Sequence, residues 1–173
     1  MSPEVPAHAI PGIALRPVAA CDYPFLRALY RSTREPELAL TGWPEEARRA
    51  FCESQFSLQD RFYREHYPRT AFLVIERDGS AIGRIYVDTA PPRELRLMDI
   101  ALLPGERGRG LGTALLRWLV AWADRESRDV TLHVERDNPA RRLYGRHGFA
   151  DEAEEGPYMK MRRRPEGEAI RGG

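Results

Sequence analysis

With 173 residues, 42% hydrophobic and 31% charged, the chain has the make-up of one globular domain. The 27 Lys and Arg nearly balance the 26 Asp and Glu, so a net charge of +1 excludes a broad positive field for nucleic acid or an anionic membrane, and any anion site has to be local. No run approaches the ~18 apolar residues of a membrane span, and Met1 to Gly12 lacks the basic start and apolar stretch of a secretory leader, so the expected location is cytoplasmic with no membrane partner.

Pro3, Pro6 and Pro11 stand in a patternless stretch that predicts a disordered segment over 1–12. The charged, Gly-rich end predicts a flexible tail over 164–173, and the short run Arg162, Arg163, Arg164, without interleaved aromatics, reads as a solvated tail. The domain between them covers 13–163. Ile13 to Pro17 reads as a strand, and Asp22 as the N-cap of a helix through Phe25, Leu29 and Tyr30. A loop holding Pro36, Gly42 and Trp43 follows. Pro44 suits the first turn of a longer helix with Ala47, Phe51, Phe56 and Phe62 on its apolar stripe, ending near Pro68.

Ala71 to Glu76 and Ala81 to Asp88 are strand-like runs joined by the hairpin signal Asp78-Gly79. Glu94 to Leu103 reads as a third strand with Leu95, Leu97, Asp99 and Ala101 on one face, stopped by Pro104. A helix with Leu111, Leu115, Trp118, Leu119 and Trp122 on one stripe comes next, then a strand from Val130 to Glu135. Asn138 caps a short helix with Pro139 at its first position, Gly148 ends it, and Tyr158 to Met161 makes a final strand. The expected order is β, α, α, β, β, β, α, β, α, β, with no internal repeat.

Cys21 and Cys52 have no C-x-x-C spacing and read as buried thiols, and His8, His66, His133 and His147 form no ligand pair, so no metal is expected. The sharpest feature is Arg107-Gly108-Arg109-Gly110-Leu111-Gly112-Thr113 between a strand and a helix. Its glycines let backbone N–H groups approach a ligand, and the helix N-terminus favours a phosphate, with Arg107 and Arg109 as countercharge. A dinucleotide fingerprint fails because Thr113 stands where the third glycine belongs, and a P-loop fails because Leu111 stands where Lys belongs.

Arg107-x-x-Gly110-x-Gly112, after Leu102 to Pro104, resembles the acyl-coenzyme A signature of GNAT acetyltransferases, R/Q-x-x-G-x-G/A. Asn138-Pro139-Ala140-Arg141-Arg142-Leu143-Tyr144 and then Gly148-Phe149 resemble that family's second pattern, N-x-A-x-x-L-Y followed by G-F. The resemblance covers about Ile13 to Met161. It implies an α/β (α+β) fold with a mixed, mostly antiparallel sheet flanked by helices, and strands splayed at an acetyl-CoA cleft. The implied activity is acetyl transfer from acetyl-CoA to an amine, of a small molecule in the first place and of a protein N-terminus or lysine in the second. A coenzyme A-binding module without transfer is the remaining alternative.

By that resemblance the N–H groups from Arg107 through Gly108, Arg109, Gly110, Leu111 and Gly112 hold the pyrophosphate, with Thr113 adding a hydroxyl. The pantetheine arm runs along Ala101, Leu102 and Leu103, Asn138 contacts it, and Tyr144 sits by the sulfur and protonates the thiolate. A backbone N–H at Leu102 or Leu103 is the implied oxyanion donor. An acceptor ammonium titrates near ~10, so chemistry at neutral pH requires a base. Asp99, a carboxylate on an apolar strand face, and His133 and Glu135, two residues apart on the next strand, are the candidates. The resemblance also places the acceptor against the first two helices and their loop, where Glu37, Trp43, Phe56 and Gln59 stand with Glu35, Glu45, Glu46 and Tyr63, and it suggests a homodimer.

Overall fold

Residues 3–6 and 10–167 are described by a computed structural model. The elements are β1 (Ile13–Pro17), α1 (Tyr23–Leu38), α2 (Glu45–His66), β2 (Thr70–Arg77), β3 (Ser80–Asp88), β4 (Glu94–Leu102), α3 (Leu111–Arg125), β5 (Asp129–Glu135), α4 (Ala140–Arg146), β6 (Ala150–Glu155) and β7 (Tyr158–Arg163). The strands form one sheet in the order β1-β2-β3-β4-β5-β7-β6, antiparallel throughout except for the parallel β4–β5 pair. That parallel pair needs a crossover connection, which α3 supplies.

The alternation along β2 and β3 sorts side chains to two faces. Leu73, Ile75, Ile85 and Val87 point to one face and pack with the buried α3 stripe Leu111, Leu115, Trp118, Leu119 and Trp122. Full burial of such side chains contributes roughly 1.5–3 kcal/mol each. The other face carries Arg84 and Tyr86, with α2 laid against it through Gln59 and Tyr63. Between α1 and α2 a second apolar cluster forms from Leu26, Tyr30, Leu38, Cys52 and Phe56. The expected hairpin at Asp78-Gly79 has both residues at positive φ, +50° and +76°, as a two-residue turn between twisted strands requires.

Several expectations are corrected. The sheet has a seventh strand, β6, whose sequence Ala-Asp-Glu-Ala-Glu-Glu is exposed on both faces and therefore has no apolar alternation; pairing with β7 alone makes it a strand. Pro36 lies inside α1 rather than in a loop, close enough to the C-terminal end that the helix closes two residues later. Asp22 does not cap α1 with its side chain; its carboxylate accepts the Ala19 N–H at 2.7 Å and both terminal nitrogens of Arg16 at 2.7 Å. Those charge-assisted bonds hold Asp22 to about pH 2 in pKa.

Phe62 is half exposed, outside the α2 stripe, and Cys21 is exposed while Cys52 is buried. Arg162 and Arg163 belong to β7, not to a solvated tail. Arg162 is tied to Glu94, Asp129 and Glu152, and Arg163, 5% exposed, pairs with Asp124 of α3. The first strand begins at Ile13 and the last ends at Arg163. The expected terminal segments over 1–12 and 164–173 lie partly outside the described residues. No helix among the described residues is long and apolar enough to cross a membrane.

Candidate active site

The ladder between β4 and β5 runs only from Glu94/Asp129 to Leu97/Leu132. Immediately beyond it β4 bulges: Val87 opposes Leu97 but Tyr86 opposes Asp99, which leaves Met98 as the extra residue. A bulge bends its strand and unpairs one edge, so β4 turns away from β5 there. Two adjacent cavities occupy the gap, about 470 Å³ and about 260 Å³, and both are lined by Leu97, Ile100, Asn138 and Tyr144. They are the two halves of one cleft at the strand divergence.

The larger half has an apolar floor that includes Leu116, Leu119 and Leu143, and it reaches Arg107 and Gly112. Gly108 and Gly110 there adopt φ of +70° and +83°, a region that costs other L-residues about 1–2 kcal/mol. The Ala114 N–H bonds the Gly110 carbonyl at 3.1 Å, so the earlier N–H groups of α3, at Leu111, Gly112 and Thr113, precede the intrahelical ladder. N–H groups left open at a helix start favour an anion. The Leu111 side chain is core, so it offers only its backbone. The two arginines are less free than the sequence suggests. Arg107 donates Nε to the Leu102 carbonyl at 3.0 Å, and Arg109 pairs with Glu106 at 3.6 Å.

The Leu103 N–H donates to the Ile82 carbonyl at 2.9 Å, which removes Leu103 from the two expected oxyanion donors. N–H directions alternate along a strand, so the Leu102 N–H points away from β3, toward the cleft edge where Arg107 meets the Leu102 carbonyl. Asn138 accepts the Ala140 N–H on Oδ1 at 2.9 Å, which starts α4 as the sequence suggests, and Gly148 closes it at φ +86°. Tyr144, the fifth residue of α4, stands against Phe149 at the waist of the cleft. Burial, and after it the Asp99 charge, raises the Tyr144 phenol above its ordinary range, so it carries its proton at neutral pH.

Asp99, His133 and Glu135 come together in the smaller half. The bulge corrects one expectation: it shifts the alternation, so Asp99 shares its face with Ala101 and with Tyr86 of β3, opposite to Leu95 and Leu97. There its Oδ2 accepts from Arg84, a buried cation that the sequence reading passed over because a lone Arg in a strand carries no spacing signal. Burial opposes the Arg84 charge, but Asp99 and Tyr86 together outweigh it and the guanidinium pKa is raised. Beside the pair, burial above all pushes the Tyr63 and Tyr86 phenols up to about 12. His133 Nε2 lies 2.6 Å from Glu155 Oε2 of β6.

The expected acceptor wall is only partly present. Phe56 is 1% exposed, packed edge-on to Tyr23 and tilted against Tyr30, and is a core residue with no surface for a substrate. Glu37 pairs with Arg34, and Trp43 stands edge-on to Phe51; neither lines the cleft. Glu35 and Glu45 are occupied by Arg31 and Arg48. Gln59 alone of the four reaches the site, through Arg84 Nη2 at 3.0 Å. Thr33 of α1, which sequence spacing did not single out, lines the larger half.

Residues 26–149 match the family model described as acetyltransferase (GNAT) family. Curated relatives from Mycobacterium tuberculosis and Mycobacterium bovis, each named as an uncharacterised N-acetyltransferase, are 34% identical over 84 residues, 47% of this chain and 54% of theirs. The chain thus spans about half the length of the curated relatives it matches. Among solved structures, the PaiA N-acetyltransferase of Thermoplasma acidophilum in complex with coenzyme A is similar with a TM-score of 0.67 and 21% identity, covering 88% of this chain and 98% of that one. The spermidine N-acetyltransferase of Vibrio cholerae in complex with CoA and spermine has a TM-score of 0.62 and 19% identity, covering 87% and 94%. At such identities the likeness is one of fold.

Proposed function

The chain belongs to the GNAT acetyltransferase family, and from that premise we propose that it transfers the acetyl group of acetyl-CoA to a primary amine of a small molecule, by direct attack in a ternary complex. The observation that carries the reading is the cleft through the sheet, with anion-binding N–H groups at one end, Tyr144 at its waist and Asp99, His133 and Glu135 in its other half. Residues 13–163 form the catalytic domain in this reading.

The N–H groups over Gly108 to Thr113 hold the pyrophosphate of acetyl-CoA, and the apolar floor and the Leu102 edge of β4 hold its pantetheine arm beside Asn138. The amine enters from the smaller half. Its lost proton goes to His133, since imidazole is the side-chain type that exchanges protons near neutrality and Asp99 is committed to Arg84. The neutral nitrogen attacks the thioester carbonyl, and the Leu102 N–H donates to the oxyanion that develops. Collapse of that intermediate breaks the C–S bond, the departing thiolate takes the Tyr144 proton, and the second proton of the attacking nitrogen, acidic once that nitrogen is bonded to carbon, returns to the Tyr144 phenolate, which leaves a neutral amide and CoA thiol. The small volume of the acceptor half, about 260 Å³, favours a small amine over a peptide chain. The similar structures bound to coenzyme A, and in one case to spermine, support both partners.

Calorimetric titration of acetyl-CoA into the wild type and into a variant carrying Arg107→Glu and Gly110→Asp tests the first half of this reading. Binding is expected in the wild type and lost in the variant. A panel of primary amines, spermidine included, then tests thiol release. In Tyr144→Phe, turnover falls about a hundredfold or more while acetyl-CoA affinity holds. A folded wild type that does not bind acetyl-CoA refutes the function, and full turnover in Tyr144→Phe removes that residue from the mechanism.

A further inference from the structure

Arg84 is an expensive residue at its position. It sits in the third of seven strands, 3% exposed, opposite Val74, where an apolar side chain would complete the sheet face without any desolvation cost. Its guanidinium carbon lies 4.8 Å over the Tyr86 ring centroid, and its Nη2 donates both to Asp99 Oδ2 and to Gln59 Oε1. These contacts hold the guanidinium on three sides, from β3, β4 and α2.

Asp99 differs from its partner in one respect: its side chain is 21% exposed and lines the acceptor half of the cleft. The pair therefore has a sealed cation and an anion that faces the site. Among the described residues Asp99 Oδ2 carries the hydrogen bond to Arg84, and Oδ1 has no protein partner. A buried ion pair is seldom worth more to stability than an apolar replacement, and its best-attested use is to fix one arrangement among several. Here the arrangement fixed is the orientation of a carboxylate in the cleft.

We propose that Arg84 is a positioning residue, which clamps Asp99 through Oδ2 so that Oδ1 is presented to the ammonium group of the acceptor, with Gln59 tying that clamp to α2. The inference rests on the amine-acetylation reading for its kinetic consequence, but not for its structural one. No atom of Arg84 meets the acceptor; its effect passes through Asp99. Its loss acts on acceptor binding and alignment and leaves the acetyl-CoA half of the cleft untouched.

The test compares wild type, Arg84→Met, Arg84→Lys, Asp99→Asn and the Arg84→Met, Asp99→Asn double variant, with thermal melting and acetyl-CoA calorimetry as controls of fold. Arg84→Met is expected to raise the acceptor KM and lower kcat, with kcat/KM down roughly tenfold to a hundredfold, the worth of a hydrogen bond to a charged group. Arg84→Lys recovers part of that loss, and Arg84→Met adds little once Asp99 is Asn. A purely structural Arg84 instead gives the same loss in both backgrounds and no rescue by Lys, which overturns the proposal. A readout without turnover is the ¹³C resonance of the Asp99 carboxyl, assigned by its absence in Asp99→Asn, during titration of propylamine in the presence of CoA. The wild-type resonance shifts on amine addition and the Arg84→Met resonance shifts less. Equal shifts in the two proteins, or no shift in the wild type, overturn the proposal. Failure of the wild type to acetylate any amine while this difference persists refutes the enzymatic reading alone.

Discussion

Gly83 of β3 stands where β4 approaches the cleft, and replacing it with alanine perturbs both the fold and the site. A Cβ at that position would lie 2.5 Å from the Ala101 carbonyl oxygen, 2.8 Å from Leu102 Cδ2 and 3.3 Å from Ile75 Cδ1. The leucine can rotate away, but the backbone oxygen cannot. Relief of the contact requires β3 and β4 to part by about 0.5–1 Å, given that carbon and oxygen atoms pack near 3.5 Å. Overpacking of this kind costs about 1–3 kcal/mol, and the reduced entropy of the unfolded chain returns about 0.4–1 kcal/mol. The net loss of about 1–2 kcal/mol corresponds to a melting temperature lower by roughly 2–8 °C for a domain of this size. Ala101 and Leu102 line the cleft, so the same displacement moves the β4 edge along which acetyl-CoA is proposed to lie. Acetyl-CoA affinity is expected to fall about tenfold, the worth of one hydrogen bond. Gly105→Ala is the control, because a Cβ there meets nothing within 4 Å and the backbone is in an ordinary conformation. Differential scanning calorimetry and acetyl-CoA titration of both variants decide the matter. A Gly83→Ala protein that melts with the wild type refutes the steric argument, and one that is destabilised but binds acetyl-CoA normally refutes the link between this strand spacing and the cofactor half of the cleft.

Gly110→Ala tests backbone conformation without sterics: nothing lies within 4 Å of its Cβ position, but φ is +83°. A loss of about 1–2 kcal/mol in urea unfolding is expected, together with weaker acetyl-CoA binding, and a neutral result would mean the loop relaxes freely. Alkaline pH should destabilise the fold through Tyr63 and Tyr86. Their phenols titrate near 10 when unfolded and at about 12 when folded, so the stabilisation is complete below pH 10 and is lost as pH rises through 12. Two such groups give a slope of roughly 2–3 kcal/mol per pH unit in that window, measurable from urea midpoints between pH 9 and 11.5; substitution of both tyrosines by Phe should remove that part of the slope and leave only the contribution of Tyr23 and Tyr144, whose phenols are also raised.

Helix periodicity was legible wherever an apolar stripe met a continuous core. The α3 stripe from Leu111 to Trp122 is buried as its spacing requires, and the glycine pattern before it falls at the helix start because positive φ at Gly108 and Gly110 is a local demand. The hairpin at Asp78-Gly79 and the short α4 between Asn138 and Gly148 are local in the same sense. Sequence reasoning failed where a neighbour supplied the reason for the structure. β6 is a strand only because β7 offers an edge, and Phe56 looks like a substrate-facing aromatic until α1 covers it.

The sequence by itself determined the phosphate-favouring loop, the Tyr144 motif and the order of most elements, since each depends on residues within a turn or two of one another. Tertiary structure alone decided the chemistry around Asp99. One extra residue at Met98 reverses the alternation of β4, opens the sheet against β5 and turns Asp99 onto the face where Arg84 is buried. A bulge is set by how two strands pair across the sheet, and no pattern along a single strand records it.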